Sequence, residues 1–421
     1  MRAAVCSAAI LLTLGTLAAC GTDSSAGAGS AGLATEFDST TNPDTVIART
    51  AGAVPEALVR RTVADMRIAP AADDTSLFGE TSEFDAAPNG RLFVYDRSAE
   101  AIFLFDSTGA LLRRIGRAGS GPGEFNGNSG MVALPDGRLA QWDPGNGRLS
   151  FFSSDGVYDS SWVVSSGFYT TDGVYADADG SIFLRLPVTE RRDGDILGRF
   201  GLVRLGEDGA WVDSIVPPDL PVNSITYIAE MEGGMSAMGP RHSPRLSWDW
   251  HPNGYFVSAS GDRYVIESSR PERALRTVRD AEDVPVSAEE RAYDEERVTW
   301  QMRTNDPGWT FRGPAIPDTK PPIADVRATR DGRIWAQVPT PSERIPADER
   351  MPQRPNGPPP PQFRDRPAYE VFAEDGRFLG RVALPLNAIL IEADGNTVWT
   401  LERDADGLPA IVRSHVEPAF P

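Results

Sequence analysis

A short pattern of residues recurs along this chain, and its regular spacing constrains the fold more than any other feature. An Asn-Gly or Asp-Gly pair is followed by a short apolar strand that ends in Asp and, after a gap, by a second apolar strand. The first copy occupies residues 89–106, and the second occupies residues 136–152. A regular repeat of small β-units predicts a repeat architecture, in which neighbouring units bury each other's apolar faces.

The number of turn glycines indicates the number of repeat units. The first turn of each successive unit ends at a glycine, and these glycines are Gly90, Gly137, Gly180, Gly254, Gly332 and Gly395. Such pairs favour tight two-residue turns, in which both central residues have positive φ. Each unit is therefore interpreted as a meander of about four strands, and a unit of about forty residues is typical of a β-propeller blade. We predict an all-β, six-bladed β-propeller over residues 51–421.

The two ends of the repeat region predict how the ring closes. The last unit, from Asn387 to His415, looks one strand short, whereas an extra strand at residues 62–68 precedes the first turn glycine. We expect this early strand to complete the last blade. That arrangement would close the ring and remove free sheet edges, which otherwise template aggregation.

Three intervals between units are longer than the rest, and each holds an insertion. The insertions lie at about residues 217–245, 284–322 and 339–367. The second opens with Ser287 and Glu290 in the spacing of a capping box, which predicts one short helix through about Met302. The third contains ten prolines and predicts an extended, polyproline-like loop rather than a strand.

The N-terminus predicts export and a lipid anchor. A positive start and an apolar stretch through Ala19 fit a secretory signal peptide over residues 1–19. The sequence Leu-Ala-Ala-Cys-Gly that ends at Gly21 resembles the bacterial lipobox, in which the Cys thiol receives a diacylglyceryl group. We expect Cys20 to carry lipid, including a fatty acyl chain such as palmitate, and residues 20–50 to form a flexible linker. The predicted location is the cell envelope, on the periplasmic or surface face of a bacterial membrane.

The net charge and the cysteine count limit the classes of partner and metal site that we expect. The formal net charge is −19, so nucleic acid is not expected to bind. The charge either keeps the protein soluble or attracts cations or a basic partner. Cys6 leaves with the signal peptide and Cys20 carries lipid, so the mature chain is expected to have no disulfide and no cysteine metal site.

Part of the repeat resembles a known family. Residues 143–152 combine Asp143, Asn146 and Arg148 with a Leu and an aromatic residue, and this run is similar to the NHL repeat. The glycine-rich run at residues 116–125 resembles the link between NHL blades. Over about residues 60–416 the chain is similar to bacterial six-bladed β-propeller lipoproteins. That resemblance implies the fold and leaves the activity open.

The function that these features favour is binding. We expect an envelope-anchored binding or scaffold module for an unidentified ligand, with a protein, peptide or glycan partner, no catalytic residues and a monomeric state. The alternative is a metal-dependent, calcium-using propeller hydrolase or lyase resembling gluconolactonases or amidating lyases. A third interpretation is a structural partner in outer-membrane assembly or transport.

Few residues qualify for a site. His251 and the nearby Trp248 and Trp250 are candidates for the ligand site or the central channel, and His242 is a candidate lid residue in an insertion. The other interpretation of His251 is a turn histidine packed on Trp250. No metal-ligand motif and no cofactor motif is present, although short acidic loops at residues 177–180 and 404–407 suggest calcium. The run at residues 116–123 lacks the Gly-Lys-Ser/Thr of a phosphate loop, and we expect it to be an inter-blade turn.

Overall fold

The computed structural model describes residues 33–69, 81–128, 130–164, 173–188, 200–231, 234–403 and 407–421. The predicted signal peptide and Cys20 lie outside the described residues. The described part is almost entirely β-structure, with a single α-helix among these residues. No helix in the described ranges is both long enough and apolar enough to span a bilayer.

The described part of the chain starts with three strands that precede blade 1: β1 (Thr35–Asp38), β2 (Thr45–Ala51) and β3 (Val59–Ile68). β1 and β2 form an antiparallel hairpin, and β2 adds in parallel to the outer strand of a later blade. The predicted flexible linker over 20–50 is therefore wrong for its last part. Ordinary backbone pairing along a sheet edge orders this segment, and that pairing depends on contacts remote in sequence.

Three four-stranded sheets follow. Their strands are β4 (Thr81–Ala86), β5 (Leu92–Asp96), β6 (Ala101–Phe105) and β7 (Leu111–Ile115) in blade 1; β8 (Met131–Ala133), β9 (Leu139–Asp143), β10 (Arg148–Phe152) and β11 (Tyr158–Val163) in blade 2; and β12 (Val174–Ala176), β13 (Ile182–Pro187), β14 (Phe200–Leu205) and β15 (Trp211–Ile215) in blade 3.

The middle of the chain adds an insertion, a blade and the helix. Its elements are the hairpin of β16 (Tyr227–Met231) and β17 (Gly234–Met238); blade 4, formed by β18 (Ser247–His251), β19 (Tyr255–Ala259), β20 (Val265–Ser268) and β21 (Ala274–Asp280); and α1 (Ala288–Asn305). β2 pairs with β21, which extends blade 4 to six strands.

The last two blades complete the ring. Their elements are β22 (Asp325–Ala328), β23 (Ile334–Val338), the inserted hairpin of β24 (Ser342–Arg344) and β25 (Phe363–Asp365), β26 (Ala368–Phe372) and β27 (Phe378–Ala383) in blade 5; and β28 (Ile389–Asp394), β29 (Thr397–Arg403) and β30 (Pro409–Glu417) in blade 6. β3 lies antiparallel to β30 as the fourth strand of blade 6, which confirms the predicted closure by the early strand. The start of β3 also pairs in parallel with β27 and so joins blades 5 and 6.

The turns between the first two strands of the blades differ from the prediction in one respect. Gly90 has φ of 79°, but Asn89 is not among the residues with positive φ. The N–H of Gly90 donates to the carbonyl of Ala87 at 2.9 Å, and the N–H of Ala87 donates to the carbonyl of Arg91 at 2.8 Å. This is a longer loop in which only the final glycine is left-handed, so the prediction of two positive φ values is wrong. The Asn89 side chain instead accepts the N–H of Arg91.

The central strands of each blade are apolar on both faces because each sheet packs between two others. All five residues of β5 and all five of β6 are buried. Their apolar side chains share one core with Phe125 of the link to blade 2, with Phe152 of blade 2, and with Trp399 and Ile411 of blade 6. Since both faces are covered, β5 is apolar up to its last residue, Asp96, and β6 is apolar throughout, rather than alternating in polarity.

The three insertions meet in one cap. The capping box is confirmed, because Ser287 accepts the N–H of Glu290 and the Glu290 carboxylate accepts the N–H of Ser287. Tyr227 of the first insertion packs with Val298 and Met302 of α1 in a separate small core. The third insertion is mostly irregular, but its base forms the hairpin of β24 and β25, so the expectation that it contains no strand is wrong.

Candidate functional site

A cavity of about 470 Å³ occupies one end of the central channel. Residues from the innermost strand of every blade line it, and its rim includes Pro88, Pro135, Ala178 and Pro252 from the turns that follow those strands. Successive strands of a blade run antiparallel, so the links between blades reach the opposite end of the ring. The cap of insertions therefore lies at the other end of the channel from this cavity. We take the cavity as the candidate functional site.

Carboxylates on the wall join neighbouring blades. Asp85 of blade 1 accepts the backbone N–H of Ala133 of blade 2 at 2.6 Å, and Glu83 accepts the N–H of Met131 at 3.3 Å. The innermost strand of a propeller blade has no strand partner on its channel side, so its N–H groups need other acceptors. These side chains supply them and are held in fixed positions as a result.

Blade 4 repeats this arrangement. Asp249 accepts the N–H of Ala328 of blade 5 at 3.0 Å, and the hydroxyl of Ser247 accepts the N–H of Val326 at 3.1 Å. Asp249 lies five residues before its turn glycine, as Asp85 does in blade 1. Burial raises the pKa of Asp249 to about 6, against the opposing effects of the Arg327 charge and of the N–H of Ala328.

A cluster of three ionisable side chains on the wall, Asp85, Arg330 and Glu392, comes from three different blades. Asp85 of blade 1 lies beside Arg330 of blade 5, with 3.3 Å between Oδ1 and Nη2. Burial raises the pKa of Asp85, although Arg330 and the N–H of Ala133 oppose the shift. Burial and the charge of Asp85 raise the pKa of Glu392 of blade 6 to about 8, and Arg330 again opposes. The wall therefore holds carboxyl groups that keep a proton at higher pH than usual.

The residues predicted from the sequence fall in different places. Trp250 lines the cavity, but it is buried and its ring packs on Phe183, with centroids 4.8 Å apart. Trp248 is not part of the cavity lining and lies between Tyr175 and Phe256, in the contact between blades 3 and 4.

His251 is not part of the cavity lining either. It is fully buried, its Nε2 lies 3.1 Å from the carbonyl oxygen of Gly332 in blade 5, and its Nδ1 accepts the N–H of Asn253. Its ring stacks on Tyr255, with centroids 4.1 Å apart, so the expected packing on Trp250 is replaced by packing on Tyr255. These contacts make His251 a link between blades 4 and 5.

His242 lies at the capped end, where it lines two cavities of about 580 and 190 Å³. Burial lowers the pKa of His242, and the positive charges of Lys320 and Arg241 lower it further. Lys320, the only lysine of the chain, is buried and donates to the carbonyl of Thr340 at 2.7 Å and to Ser342 Oγ at 2.8 Å. It also pairs with Asp365 at 2.9 Å, so this cluster fastens the second insertion to the third.

The acidic loops follow turn chemistry where the structure describes them. Asp177 accepts the N–H groups of Asp179 and Ser181 at 3.0 and 2.8 Å. The loop at residues 404–407 lies largely outside the described residues. Within the described ranges no group of three His, Cys, Asp or Glu side chains has the geometry to hold a metal ion.

The glycine-rich run and the NHL-like motif meet in blade 2. Arg148 donates to the carbonyl oxygens of Ser120 at 2.9 Å and of Gly121 at 2.6 Å. Asn146 donates to the carbonyl of Gly119 at 3.0 Å and to the Asp143 carboxylate at 2.7 Å. The run joins blades 1 and 2, as expected of an inter-blade turn.

Sequence reasoning missed the carboxylates of the wall. Asp85, Asp249 and Glu392 were not singled out, because acidic residues are abundant in this chain. One signal was present in the sequence: Asp85 and Asp249 both stand five residues before a turn glycine.

The fold and the cavity define a class, which is the six-bladed β-propeller of bacteria. The model of a family described as DUF5128, a 6-bladed beta-propeller, matches residues 71–129 of the chain. No curated protein sequence matches the chain.

Solved structures with a similar course of the chain have little sequence in common with it. A member of the DUF4221 family from Bacteroides vulgatus is 13% identical, with a TM-score of 0.49, over 85% of this chain and 98% of that one. Virginiamycin B lyase from Staphylococcus aureus is 10% identical, with a TM-score of 0.38, over 83% of this chain and 98% of that one. The PQQ-bound aldose sugar dehydrogenase from Streptomyces coelicolor is 13% identical, with a TM-score of 0.35, over 87% of this chain and 100% of that one.

Proposed function

We propose that this protein is a lipid-anchored propeller of the bacterial envelope that binds a ligand in its channel cavity and does not transform it. The observation that carries the proposal is the cavity itself, which is lined by all six blades and has a fixed polar wall. Asp85 and Asp249 each accept a backbone N–H of the next blade. A carboxylate held in this way is suited to orienting a ligand.

The anchor in this proposal is Cys20, and it follows from the lipobox-like sequence. The first strand begins at Thr35, so residues 21–34 separate it from Cys20. Even a fully extended segment of that length spans at most about 50 Å. The propeller would therefore stay close to the membrane surface, within reach of ligands and protein, peptide or glycan partners in the envelope.

Two variants test the cavity. Ala178 is exposed on the rim, so Ala178→Trp narrows the mouth without displacing core residues. The matched control is Ala210→Trp, at an exposed turn on the outer side of blade 3. Native mass spectrometry of protein purified from its own envelope fraction should show a bound small molecule on the wild type and on Ala210→Trp, and not on Ala178→Trp. A ligand retained equally by all three proteins would contradict the proposal.

The anchor and the absence of catalysis have separate tests. Radiolabelled palmitate should enter the wild-type protein in cells, whereas Cys20→Ala should remain unlabelled. An unlabelled wild-type protein would remove the lipid anchor from the proposal. Hydrolysis of a lactone by the purified protein with added calcium would favour the hydrolase alternative instead.

A further inference from the structure

The cavity wall has more acidic than basic groups. Among the described residues, the carboxyl groups of the lining outnumber its guanidinium groups, and the two sets are Glu83, Asp85, Asp177, Asp249 and Glu392 against Arg327 and Arg330. Both guanidinium groups are occupied: Arg330 by Asp85 and by the carbonyl of Ala86, and Arg327 by Asp325 at 3.1 Å. An anionic ligand would therefore have to displace existing partners.

Glu392 is the carboxyl group that blade 6 contributes to the wall. It accepts the N–H of Ala393 at 3.0 Å and the N–H of Arg330, and the described residues include no ion pair of its own. Its neighbours are Asp85 on blade 1, which repels its charge, and Arg330 on blade 5, which is committed to Asp85. Arg330 is shared with Asp85 and so offsets only part of the cost of a partly buried carboxylate at Glu392, and a cation placed beside it would offset more of that cost.

The rest of the wall is suited to contact with the apolar part of a ligand. Phe84, Val132, Tyr175 and Ile391 line the same cavity. Aromatic and aliphatic walls with a few fixed polar groups are typical of pockets for small organic ligands. The ring of Tyr175 adds a face that attracts cations. A metal ion would need several converging ligands, whereas an ammonium group needs only two or three oxygen atoms.

We propose that the cavity binds an organic cation, a primary ammonium or guanidinium group on an apolar body, with the charged group beside Glu392. This inference rests on the proposed function, since it names the class of ligand for the same cavity. Burial and the neighbouring charge of Asp85 raise the pKa of Glu392 to about 8, so we expect Glu392 to hold a proton at neutral pH in the free protein. Binding of the cation would convert Glu392 to the carboxylate and release that proton to solvent.

Isothermal titration calorimetry with three matched indoles tests the charge of the ligand. Tryptamine is the cation, tryptophol is its neutral isostere, and indole-3-acetate is the anion. At pH 7 tryptamine should bind at least about tenfold more tightly than tryptophol, and indole-3-acetate should bind more weakly still. Titrations in two buffers of different ionisation enthalpy should show proton release with tryptamine alone.

Three variants test whether tryptamine binds beside Glu392 in this cavity. Glu392→Gln should lower tryptamine affinity about tenfold and abolish the proton release, while tryptophol affinity stays unchanged and reports an intact cavity. Ala178→Trp should weaken both ligands equally, and Ala210→Trp should weaken neither.

Any one of three results would contradict the proposal that the ligand is a cation. They are equal affinities for tryptophol and tryptamine, an unchanged tryptamine affinity in Glu392→Gln, or no tryptamine binding up to about 10 mM. If tryptophol binding still depends on Ala178, the cavity remains a binding site and only its ligand class is wrong.

Discussion

The carboxylate of Asp85 on blade 1 accepts the backbone N–H of Ala133 on blade 2 at 2.6 Å. Asp85→Ala would leave that buried N–H without an acceptor and would remove the partner of Arg330. We expect a loss of about 1–3 kcal/mol in the free energy of unfolding, measured by urea denaturation. Asp85→Asn keeps an acceptor and should cost less.

The control for this comparison is Asp159→Ala, which removes an exposed carboxylate from β11. It should change stability by less than about 0.5 kcal/mol. Equal losses for Asp85→Ala and Asp159→Ala would show that the inter-blade bond does not contribute to stability.

The ionisable groups of the wall predict an unusual dependence of stability on pH. Glu392 has its pKa raised from 4.5 to about 8, and Asp249 has its pKa raised from 3.8 to about 6. Between the ordinary and the raised pKa of each group, the folded protein binds more protons than the unfolded chain, so the contribution of the group to stability falls as pH rises. Glu392→Gln should therefore be more stable than the wild type at pH 8.5, by on the order of 1 kcal/mol, and nearly equal to it at pH 4.5.

Urea titrations of both proteins at several pH values measure this difference. Asp249→Asn should show the same trend over the lower window, with most of the gain complete by about pH 7. A wild-type advantage that grows with pH would mean that Glu392 is ionised and stabilised in the folded protein, which is the opposite of what its burial beside Asp85 predicts.

The number of blades was predictable because the first turn of each blade needs a residue with positive φ, and the turn itself sets that need without distant contacts. Gly90, Gly137 and Gly332 all have φ near 80°, a conformation that residues with a Cβ rarely adopt, so the spacing of the turns is visible in the sequence. The closing strand was predictable because a propeller that lacks one strand at its end has an obvious candidate at its beginning.

Other features depend on contacts between distant segments. β1 and β2 are short and partly polar, and their order comes from pairing with β21, more than two hundred residues away. In the cap, Glu290 and Lys320 belong to the second insertion and Ser342 belongs to the third, and no local pattern relates them. Of the site candidates, only Trp250 lines the channel cavity, because which residues of an innermost strand reach the channel depends on strand register.

The N-terminal strands predict two different outcomes of truncation. A chain that begins at Ala53 loses β1 and β2 but keeps β3, so the ring stays closed and only the outer edge of blade 4 is exposed. It should fold with reduced stability, partly because Arg279 loses its bond to the carbonyl of Gly52. A chain that begins at Ala69 also loses β3 and should give no stable monomer.

Size-exclusion chromatography with light scattering and thermal melting by circular dichroism distinguish the two truncations. The first should elute as a folded monomer with a lowered melting temperature, and the second should aggregate or melt without cooperativity. A cooperative, monomeric protein that begins at Ala69 would show that β3 is not needed to close the ring.

Lys320 gives a chemical test of the cap, because it is the only lysine in the chain. It is 3% exposed, and its ammonium group bonds to Thr340, Ser342 and Asp365. An acylating reagent needs a free, deprotonated amine, so the folded protein should resist acetylation at this position. Peptide mass spectrometry should find Lys320 unmodified after treatment in buffer and acetylated after treatment in about 8 M urea. Asp365→Asn removes the ion pair and should raise the rate in buffer, while equal rates in buffer and in urea would show that the cluster is open in solution.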